Sequence, residues 1–374
     1  MLSARTRFPN LDGLRFLAAA LVVADHLEHS KHNLGLPHNG DLAHWSMLGH
    51  LGVLLFFVLS GFLITYLLLE EEQRTGRIHY RAFQMRRVLR IWPLYFMLVL
   101  LALLVFPAID LLGMPGVDPQ YVQANWPRKL ALYLLFLPTL VPALAGAVPH
   151  ATHLWTIGTE QHFYLLWPLL LRSFRRHRLL VIAGVFGGYA LVTRFLLAPA
   201  ASGLPGHDLL FLFWDKFRID SMAVGAFFAV LTFRKSRVLP WLLDRRLFAL
   251  LLVALPLAMA TGTLNAWLTY RVYAVLLGLL VLNLAVNPIA RTALEQPPLR
   301  YLGRISYGIY IYHLAVIVLV LNVLAPHGLA KDVLTYPVVF AGTIAVAALS
   351  HRWFEGFFQR FRHRFSPYQA GRNR

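Results

Sequence analysis

The stretch LDGLRFLAAALVVADHLEHS, residues 11–30, has the length of a membrane helix and carries an arginine near its start and a histidine near its end. Arg15, Ala19, Val22 and His26 are spaced four, three and four, so a helix of 3.6 residues per turn places them on one face. A rise of about 1.5 Å per residue separates Arg15 from His26 by roughly 16 Å along the axis. Ionisable groups in membrane helices are costly and are usually functional. The stretch therefore predicts a phosphate-binding cation at one end and a proton-handling group at the other.

The composition is that of an integral membrane protein. Hydrophobic residues make up 58% of the 374-residue chain and charged residues only 14%, and the mean hydropathy is +0.59. These values are too apolar for a soluble domain. No polar stretch is long enough to form a second domain, so one all-α membrane domain is predicted for residues 1–374. The chain has no cysteine, which excludes disulfides, thiolate metal sites and a cysteine acyl intermediate.

Ten membrane crossings are predicted from the apolar runs, which approach the ~20 residues needed to cross hydrocarbon. Their ranges are 11–29, 47–69, 91–112, 154–171, 179–198, 217–233, 247–262, 268–289, 305–325 and 335–350. The first run contains ionisable residues and no small-residue cleavage site, so we expect it to stay as a helix rather than to be removed as a signal peptide. The apolar piece 130–142 is short and is bounded by Pro138 and Pro142, which indicates a re-entrant or interfacial segment.

The basic residues predict the orientation. With ten spans and a cytoplasmic N-terminus, most of the 35 Lys and Arg residues fall in cytoplasmic segments, as the positive-inside rule requires. If 130–142 were counted as a span, the arginines of 172–178 would lie on the opposite side of the membrane from the other arginine-rich loops, against the positive-inside rule. Both termini are therefore predicted to be cytoplasmic. This topology and contact with anionic membrane lipid account for most of the net charge of +18, so no nucleic-acid partner is expected.

Six segments resemble the membrane-bound acyltransferase 3 family, which O-acylates sugars and other hydroxyl acceptors. They are LDGLRFLAAALVVADH (11–26), GVLLFFVLSGFLIT (52–65), RRVLRIWPLYF (86–96), LWTIGTEQHFYLLWP (154–168), RIDSMAVGA (218–226) and LGRISYGIYIYH (302–313). They occur in the family's order over nearly the whole chain. The resemblance implies an enzyme of the bacterial inner membrane that binds acyl-CoA from the cytoplasmic side. In this family the acyl-CoA is usually acetyl-CoA. The resemblance further implies acyl transfer to a hydroxyl of a glycan or glycoconjugate at the outer side.

His26 and Glu160 are the predicted catalytic residues. An unperturbed imidazole titrates near ~6.5, which suits His26 to remove a proton from the acceptor hydroxyl, by direct attack or through a transient acyl-imidazole. Glu160 is predicted at the level of His26, where it would orient the imidazole or hold the acceptor. Where the family usually has a second acid, this chain has Gln161, so a mechanism with paired carboxylates is not expected. The structural alternative for His26 is a helix-end histidine that reaches the interface.

Arginines are the predicted ligands of the CoA phosphates, because guanidinium groups match phosphate oxygens in pairs. The candidates are Arg15 on the first span and Arg86, Arg87 and Arg90 at the start of the third. The axial separation of Arg15 and His26 is about the span of an extended pantetheine arm. Juxtamembrane arginines are also ordinary topology signals, which is the alternative explanation. No metal is expected, because the nearby histidines fall in a loop-like segment without convergent ligands.

Two further groups complete the predicted site. Ser306, Tyr310 and His313 share a helix face and would line the passage of the pantetheine arm, with interhelical hydrogen bonding as the alternative. Arg218 and Asp220 lie near the outer end of their span, where they would bind the acceptor or form an ion pair that fixes two helices.

Two other functional classes fit the same pattern. A transporter or flippase of a lipid-linked or amphipathic substrate also needs many spans and buried charges, and would move its substrate without consuming acyl-CoA. A non-catalytic membrane scaffold would lose only stability when His26 or Glu160 is replaced. The sequence is also compatible with a homo-oligomer.

Overall fold

The structure is a computed structural model that describes residues 7–39, 45–198, 201–261, 266–325 and 332–365. It is all-helical, with 83% helix and no strand in these ranges, which confirms the predicted fold class. The α-helices are α1 (Leu11–Asn33), α2 (Trp45–Thr75), α3 (Tyr80–Leu100), α4 (Pro119–Gln123), α5 (Trp126–Leu134), α6 (Val141–Ala145), α7 (Trp155–Ser173), α8 (Arg178–Leu196), α9 (His207–Lys216), α10 (Ile219–Phe233), α11 (Leu239–Leu242), α12 (Arg245–Thr261), α13 (Ala266–Val286), α14 (Pro297–Arg304), α15 (Ser306–Leu324), α16 (Asp332–Ser350) and α17 (Gly356–Gln359).

Five helices in the described ranges are long and apolar enough to cross a membrane. They are Met47–Thr75, Tyr80–Ala108, Arg178–Leu196, Ser306–Leu324 and Leu334–Arg362, and a shorter apolar helix runs over Tyr270–Val286. The five overlap the predicted spans 47–69, 91–112, 179–198, 305–325 and 335–350. Helix α1 has 23 residues, but its acidic and basic side chains make it too polar to qualify on hydropathy alone.

The segment 130–142 does not form one continuous helix. Helix α5 ends at Leu134, a 3-10 turn covers Pro138–Leu140, and α6 begins at Val141. Proline has no backbone N–H and a fixed φ, so Pro138 cannot continue α5, whereas Pro142 lies in the first turn of α6, where a proline is tolerated.

Parts of the predicted topology fall on residues that lie outside the described ranges. The predicted cytoplasmic placement of the two termini depends on residues 1–6 and 366–374, which lie outside the described residues. The end of the predicted span 247–262 also lies there.

Helix α2 is central and packs against α1, α10 and α13. Its closest approach to α10 is made by two glycines. A Cβ atom on Gly61 would meet the backbone of Met222, and a Cβ atom on Gly225 would meet the backbone of Val58. Each helix therefore passes over a glycine of the other, which holds the two backbones in direct contact.

The sequence predicts close helix packing at Gly52, Gly61, Gly184, Gly187 and Gly188. The structure confirms it for Gly52, which faces the Ala18 carbonyl, and for Gly61. The prediction is wrong for the three glycines of α8, where an added Cβ would meet no described residue within 4 Å. The reason is that α8 lies at the edge of the bundle. Only 17% of its most apolar 18-residue stretch is buried.

Replacement of Gly61 by alanine should lower the free energy of unfolding by about 1–3 kcal/mol, because the added methyl group must push one backbone away from the other. Gly187→Ala is the matched control. Its methyl group enters open space, and the loss of glycine's backbone freedom should change stability by no more than about 0.5–1 kcal/mol, in the stabilising direction. Unfolding in detergent micelles measures both values. Equal effects of the two substitutions would contradict the described crossing of α2 and α10.

A buried ion pair fixes the end of α1 that carries His26. The Lys31 ammonium donates to Oε1 of Glu28 at 2.7 Å, and both side chains are fully buried. The hydroxyl of Tyr336, on α16, donates to the same oxygen at 2.8 Å. The backbone N–H of Asn39 donates to the other carboxylate oxygen. This cluster, Glu28 with Lys31, Tyr336 and Asn39, connects the end of α1 to α16 and to the following loop.

Candidate active site

Arginines line a cavity of about 340 Å³, which we call the arginine cavity. Its lining includes Arg15, Ser60, Arg87, Arg90 and Tyr164. Arg87 and Arg90 are three positions apart on α3 and so lie on the same face of that helix. The fold thus brings three of the four arginines predicted to bind phosphate into one site.

The Arg87 guanidinium retains a free donor in this site. Its central carbon lies 5.5 Å from the ring centroids of both Phe83 and Tyr164, so two aromatic faces hold the group in place. Its Nε is buried and has no hydrogen-bond partner among the described residues. Arg15 makes a 3.5 Å contact with Asp12. A buried donor without a partner is costly, so this site has a place for a hydrogen-bond acceptor.

A second cavity, of about 90 Å³, continues from the first, and we call it the middle cavity. It shares the arginines, Ser60 and Tyr164 with the arginine cavity, and adds Thr156, Glu160, Ser306 and Tyr310. Ser60 donates to the Glu160 carboxylate at 2.5 Å and accepts a hydrogen bond from the Tyr164 hydroxyl at 3.3 Å. The structure therefore places Glu160 beside the arginines, whereas the sequence analysis expected it at the level of His26.

Two further cavities surround His26. The histidine cavity, of about 130 Å³, is lined by His26, His50, Trp155, Arg218 and Tyr270 among others, and shares Val53, Phe57 and Tyr310 with the middle cavity. The rim cavity, of about 420 Å³, shares Asp25, His26 and His50 with the histidine cavity and adds His29, Asn33 and Thr152.

The four cavities form a series, because each shares lining side chains with the next. The series begins at Arg15 and ends at His26, the two residues that the sequence places on one face of α1. The cavities in the middle of the series are the smallest, with volumes of about 340, 90, 130 and 420 Å³ in order. A path of this shape can hold an extended flexible chain between a cationic end and a histidine end.

His26 contacts another histidine from a distant part of the chain. Its Nδ1 lies 2.6 Å from Nε2 of His313, on α15, and the two ring planes differ by only 8°. Nδ1 of His313 lies 2.6 Å from the Tyr310 carbonyl oxygen. The sequence predicts His313 along the passage of the pantetheine arm. The structure instead buries it completely behind His26.

Ser306 and Tyr310 lie along the series of cavities. The Tyr310 hydroxyl is 2.7 Å from the Thr156 hydroxyl and donates to the His153 carbonyl oxygen at 3.0 Å, while its side chain lines both the middle and the histidine cavity. Ser306 donates to the Gly303 carbonyl at 2.9 Å and lines the middle cavity. The hydrogen bonding and the cavity lining that the sequence analysis treated as alternatives thus occur together.

Arg218 and Asp220 do not pair with each other. The Arg218 guanidinium bonds Asp215 at 2.9 Å, lies 4.0 Å from the ring centroid of Tyr270, and lines the histidine cavity. Asp220 is buried, and its carboxylate lies 3.6 Å from Arg271 on α13. Only Arg218 of the two is therefore in reach of a molecule beside His26, and Asp220 connects α10 to α13.

Arg86 is held outside the described cavities. It donates to the Glu71 carboxylate at 2.8 Å and to the Phe365 carbonyl at 2.7 Å. These bonds connect α3 to α2 and to the C-terminal segment, so the structure does not bring Arg86 together with Arg87 and Arg90. The described residues also contain no group of three or more His, Cys, Asp or Glu side chains that could hold a metal ion.

Two residues of the site were not singled out from the sequence. Ser60 is the one hydrogen-bonding side chain in the apolar run 52–64, which is a usable signal. Tyr164 lies four positions after Glu160, and this spacing puts the two on the same face of α7. Both belong to segments that carry the family resemblance.

The chain is similar to known acyltransferases over most of its length. A family model described as an acyltransferase domain, Acyl_transf_3, matches residues 8–352. The chain is 28% identical over 384 residues to the peptidoglycan O-acetyltransferase OatA of Listeria monocytogenes. The aligned region covers 94% of this chain and 56% of that protein. It is 26% identical over 374 residues to the O-acetyltransferase OatA of Staphylococcus aureus, with coverages of 93% and 56%. A putative O-acetyltransferase of S. aureus is 26% identical over 379 residues, with coverages of 94% and 57%.

These relatives are longer than the matched region, and the chain spans just over half of their length. No solved structure matches the chain. The family model nevertheless covers nearly all of it, in agreement with the six segments that carry the resemblance. This chain therefore belongs to the acyltransferase 3 family of integral membrane proteins.

Proposed function

We propose that this acyltransferase moves an acetyl group from acetyl-CoA, bound from the cytoplasm, to a hydroxyl of a glycan or glycoconjugate at the outer side of the bacterial inner membrane. The observation that carries the proposal is the series of four cavities between Arg15 and His26. This series supports a site with two functional ends, one that binds the donor and one that accepts the proton.

The arginine cavity supports binding of the CoA phosphates. Arg15, Arg87 and Arg90 present guanidinium groups to one space, and guanidinium forks bond phosphate oxygens strongly and in pairs. The buried Arg87 Nε without a described partner fits an anion that would complete its hydrogen bonds.

The middle cavity supports passage of the pantetheine arm. Its small volume suits a narrow extended chain and not a nucleotide. Hydroxyl groups of Ser60, Ser306 and Tyr310 line it and can bond the amide groups of such a chain. Glu160 then acts at this donor side, where it accepts a hydrogen bond from Ser60.

His26 supplies the base. As the acceptor oxygen attacks the thioester carbonyl carbon, the imidazole takes the hydroxyl proton, the carbon–sulfur bond breaks, and the thiolate leaves and takes up a proton. In the alternative route His26 attacks the thioester carbonyl carbon and the thiolate leaves as the carbon–sulfur bond breaks. The acceptor hydroxyl then attacks the acyl-imidazole, the carbon–nitrogen bond breaks, and the freed imidazole takes up the hydroxyl proton. In either route, holding donor and acceptor together in an enclosed site supplies orientation and limits competing hydrolysis.

The cavities at the His26 end support a glycan acceptor. Trp155 and Tyr270 offer aromatic faces, and Arg218 offers hydrogen-bond donors, which together suit the apolar faces and the hydroxyl groups of a sugar. The relative from Listeria is named as an O-acetyltransferase of peptidoglycan. We extend that acceptor class to this chain.

The topology in this proposal comprises ten crossings with both termini in the cytoplasm. The five long apolar helices support half of the crossings directly. The distribution of Lys and Arg supports the orientation, because arginine-rich loops are retained in the cytoplasm. This orientation would place the arginine cavity at the side where acyl-CoA is available.

The proposal is tested with the purified chain in liposomes. [¹⁴C]Acetyl-CoA is supplied on one side and peptidoglycan-derived oligosaccharides on the other, and the acetylated product is measured by radioactivity and mass spectrometry. We expect acetylation of the oligosaccharide together with stoichiometric release of CoA. Movement of a lipid-linked substrate across the bilayer without consumption of acetyl-CoA would contradict the proposal and favour a transporter.

Replacement of Arg90 by glutamine should raise the apparent KM for acetyl-CoA by about tenfold, because one charge-assisted hydrogen bond to a phosphate is lost. The kcat should change much less, since Arg90 lies away from His26. Initial rates at varied acetyl-CoA concentration measure both constants. Arg172→Gln, at an exposed arginine at the end of α7, is the matched control and should leave KM unchanged. An unaltered KM in Arg90→Gln would remove this arginine from the donor site.

A further inference from the structure

We propose that His313 is a positioning residue that fixes the tautomer and the orientation of His26, so that Nε2 of His26 is the atom that accepts the proton. This inference rests on the proposed function, because it assigns a role within the same site. It also replaces the expectation that Glu160 orients the His26 imidazole, since Glu160 bonds Ser60 in the middle cavity.

The hydrogen-bond partners determine the positions of the protons. A carbonyl oxygen can only accept, so Nδ1 of His313, 2.6 Å from the Tyr310 oxygen, must carry the hydrogen. A neutral imidazole has one N–H, and therefore Nε2 of His313 is an acceptor. Nδ1 of His26 lies 2.6 Å from that acceptor and must donate to it. The remaining lone pair of a neutral His26 is then on Nε2.

The geometry of the two rings favours this bond. The hydrogens and lone pairs of ring nitrogens lie in the ring plane. The planes of His26 and His313 are within 8° of each other, and because the ring centroids are 4.9 Å apart while the two nitrogens are 2.6 Å apart, the rings meet edge to edge. The bond can therefore lie in both planes at once. His313 is held in this position because it is fully buried, with the His153 ring edge-on at 4.8 Å and the Tyr310 ring at 5.6 Å.

The same contact can stabilise the charged form of His26. When Nε2 takes the proton of the acceptor, both nitrogens of His26 become donors and the ring carries a positive charge. The hydrogen bond from Nδ1 to His313 then becomes charge-assisted and stronger. A neutral hydrogen-bond acceptor is suitable in this buried position, because a carboxylate there would keep a full charge out of water throughout the cycle.

Other titratable groups face His26 and could influence its proton affinity. Asp25 and His29 lie on the same helix, His50 comes from α2, and Arg218 precedes α10, all in the cavities around the His26 ring. None of them has a described hydrogen bond to a ring nitrogen of His26. The His313 contact therefore differs from them in its directionality, and a test must separate loss of that bond from a general change of local charge.

Two substitutions of His313 provide this separation. In His313→Gln the side-chain carbonyl oxygen is long enough to replace Nε2 as the acceptor for His26. In His313→Asn the amide can replace Nδ1 near the Tyr310 carbonyl but does not reach His26. Both variants carry a neutral amide in the same buried position. The glutamine keeps the bond to His26 and loses the bond to the Tyr310 carbonyl, whereas the asparagine does the reverse.

We expect His313→Asn to lower kcat by about tenfold or more, in keeping with the loss of one charge-assisted hydrogen bond. We expect His313→Gln to retain most of the activity. The KM for acetyl-CoA should stay at the wild-type value in both variants, and their thermal stabilities in detergent should be similar. A purely structural role would lower stability and activity in parallel and would give no recovery in the glutamine variant.

The outcomes separate the inference from the proposed function. If wild-type protein transfers acetyl groups, His26→Ala does not, and His313→Asn retains full kcat, the inference fails and the proposed function stands. Equal losses in the asparagine and glutamine variants at equal stability would also overturn the inference. If the wild type transfers nothing, the proposed function fails, and ¹⁵N NMR of histidine-labelled protein still tests the inference. We expect a protonated Nδ1 and an unprotonated Nε2 for His26, and the opposite tautomer would overturn it.

Discussion

Replacement of His26 by alanine is expected to lower kcat for acetyl transfer by about 10²–10⁴-fold, which is the usual contribution of a positioned general base. The acetyl-CoA affinity should change little, because the described lining of the arginine cavity comes from residues other than His26. Initial rates with the purified protein measure kcat, and isothermal titration with a non-hydrolysable acetyl-CoA analogue measures binding. Loss of both activity and binding would instead indicate a damaged fold.

His32→Ala is the matched control for this experiment. His32 lies on the same helix, is exposed, and contacts His38 at 3.0 Å. It is absent from the described lining of the four cavities, so we expect activity close to wild type. A His26→Ala variant that keeps more than about a tenth of the wild-type rate would be incompatible with a general-base role.

Replacement of Lys31 by methionine is expected to lower the free energy of unfolding by about 3–5 kcal/mol, because it removes one partner of a buried ion pair and leaves the Glu28 carboxylate in a buried site. The bonds to Glu28 from Tyr336 and Asn39 compensate only in part. Thermal or denaturant unfolding in detergent measures the change. A loss below about 1 kcal/mol would contradict the buried character of the pair.

Two controls accompany this prediction. The double variant Glu28→Gln with Lys31→Met removes both charges and should recover much of the lost stability, since no unpaired charge remains. Arg300→Met removes one partner of a partly exposed ion pair, whose atoms are 3.8 Å apart, and should cost no more than about 1 kcal/mol.

Periodicity and charge predict those features of this protein that depend on one helix. The spacing of Arg15 and His26 needs only the helical repeat, and the structure finds both residues at the cavities that their positions on α1 suggest. The break within 130–142 follows from Pro138, which cannot continue α5. The six segments that resemble the acyltransferase 3 family predict the family, and the match to residues 8–352 confirms it.

Features that depend on two helices could not be predicted in the same way. The helical repeat defines the faces of a helix, but the rotation and depth of one helix relative to another depend on packing along the whole interface. Glu160 therefore lies deeper, beside the arginines, than its place near the start of α7 suggests. Asp220 finds its partner on α13 rather than two residues away at Arg218. His26 and His313 are 287 positions apart, and only the folded bundle brings them together.

The small volume of the middle cavity, between two larger cavities at the ends of the series, also bears on the energetics of the cell. A membrane that stores energy as ion gradients cannot tolerate an open aqueous pore, yet an enzyme that joins substrates from its two faces needs a route through the bilayer. In the proposed mechanism the small middle cavity reconciles these requirements, because a pantetheine arm that occupies it would displace the water there. Catalysis across the bilayer would then proceed without short-circuiting the proton motive force.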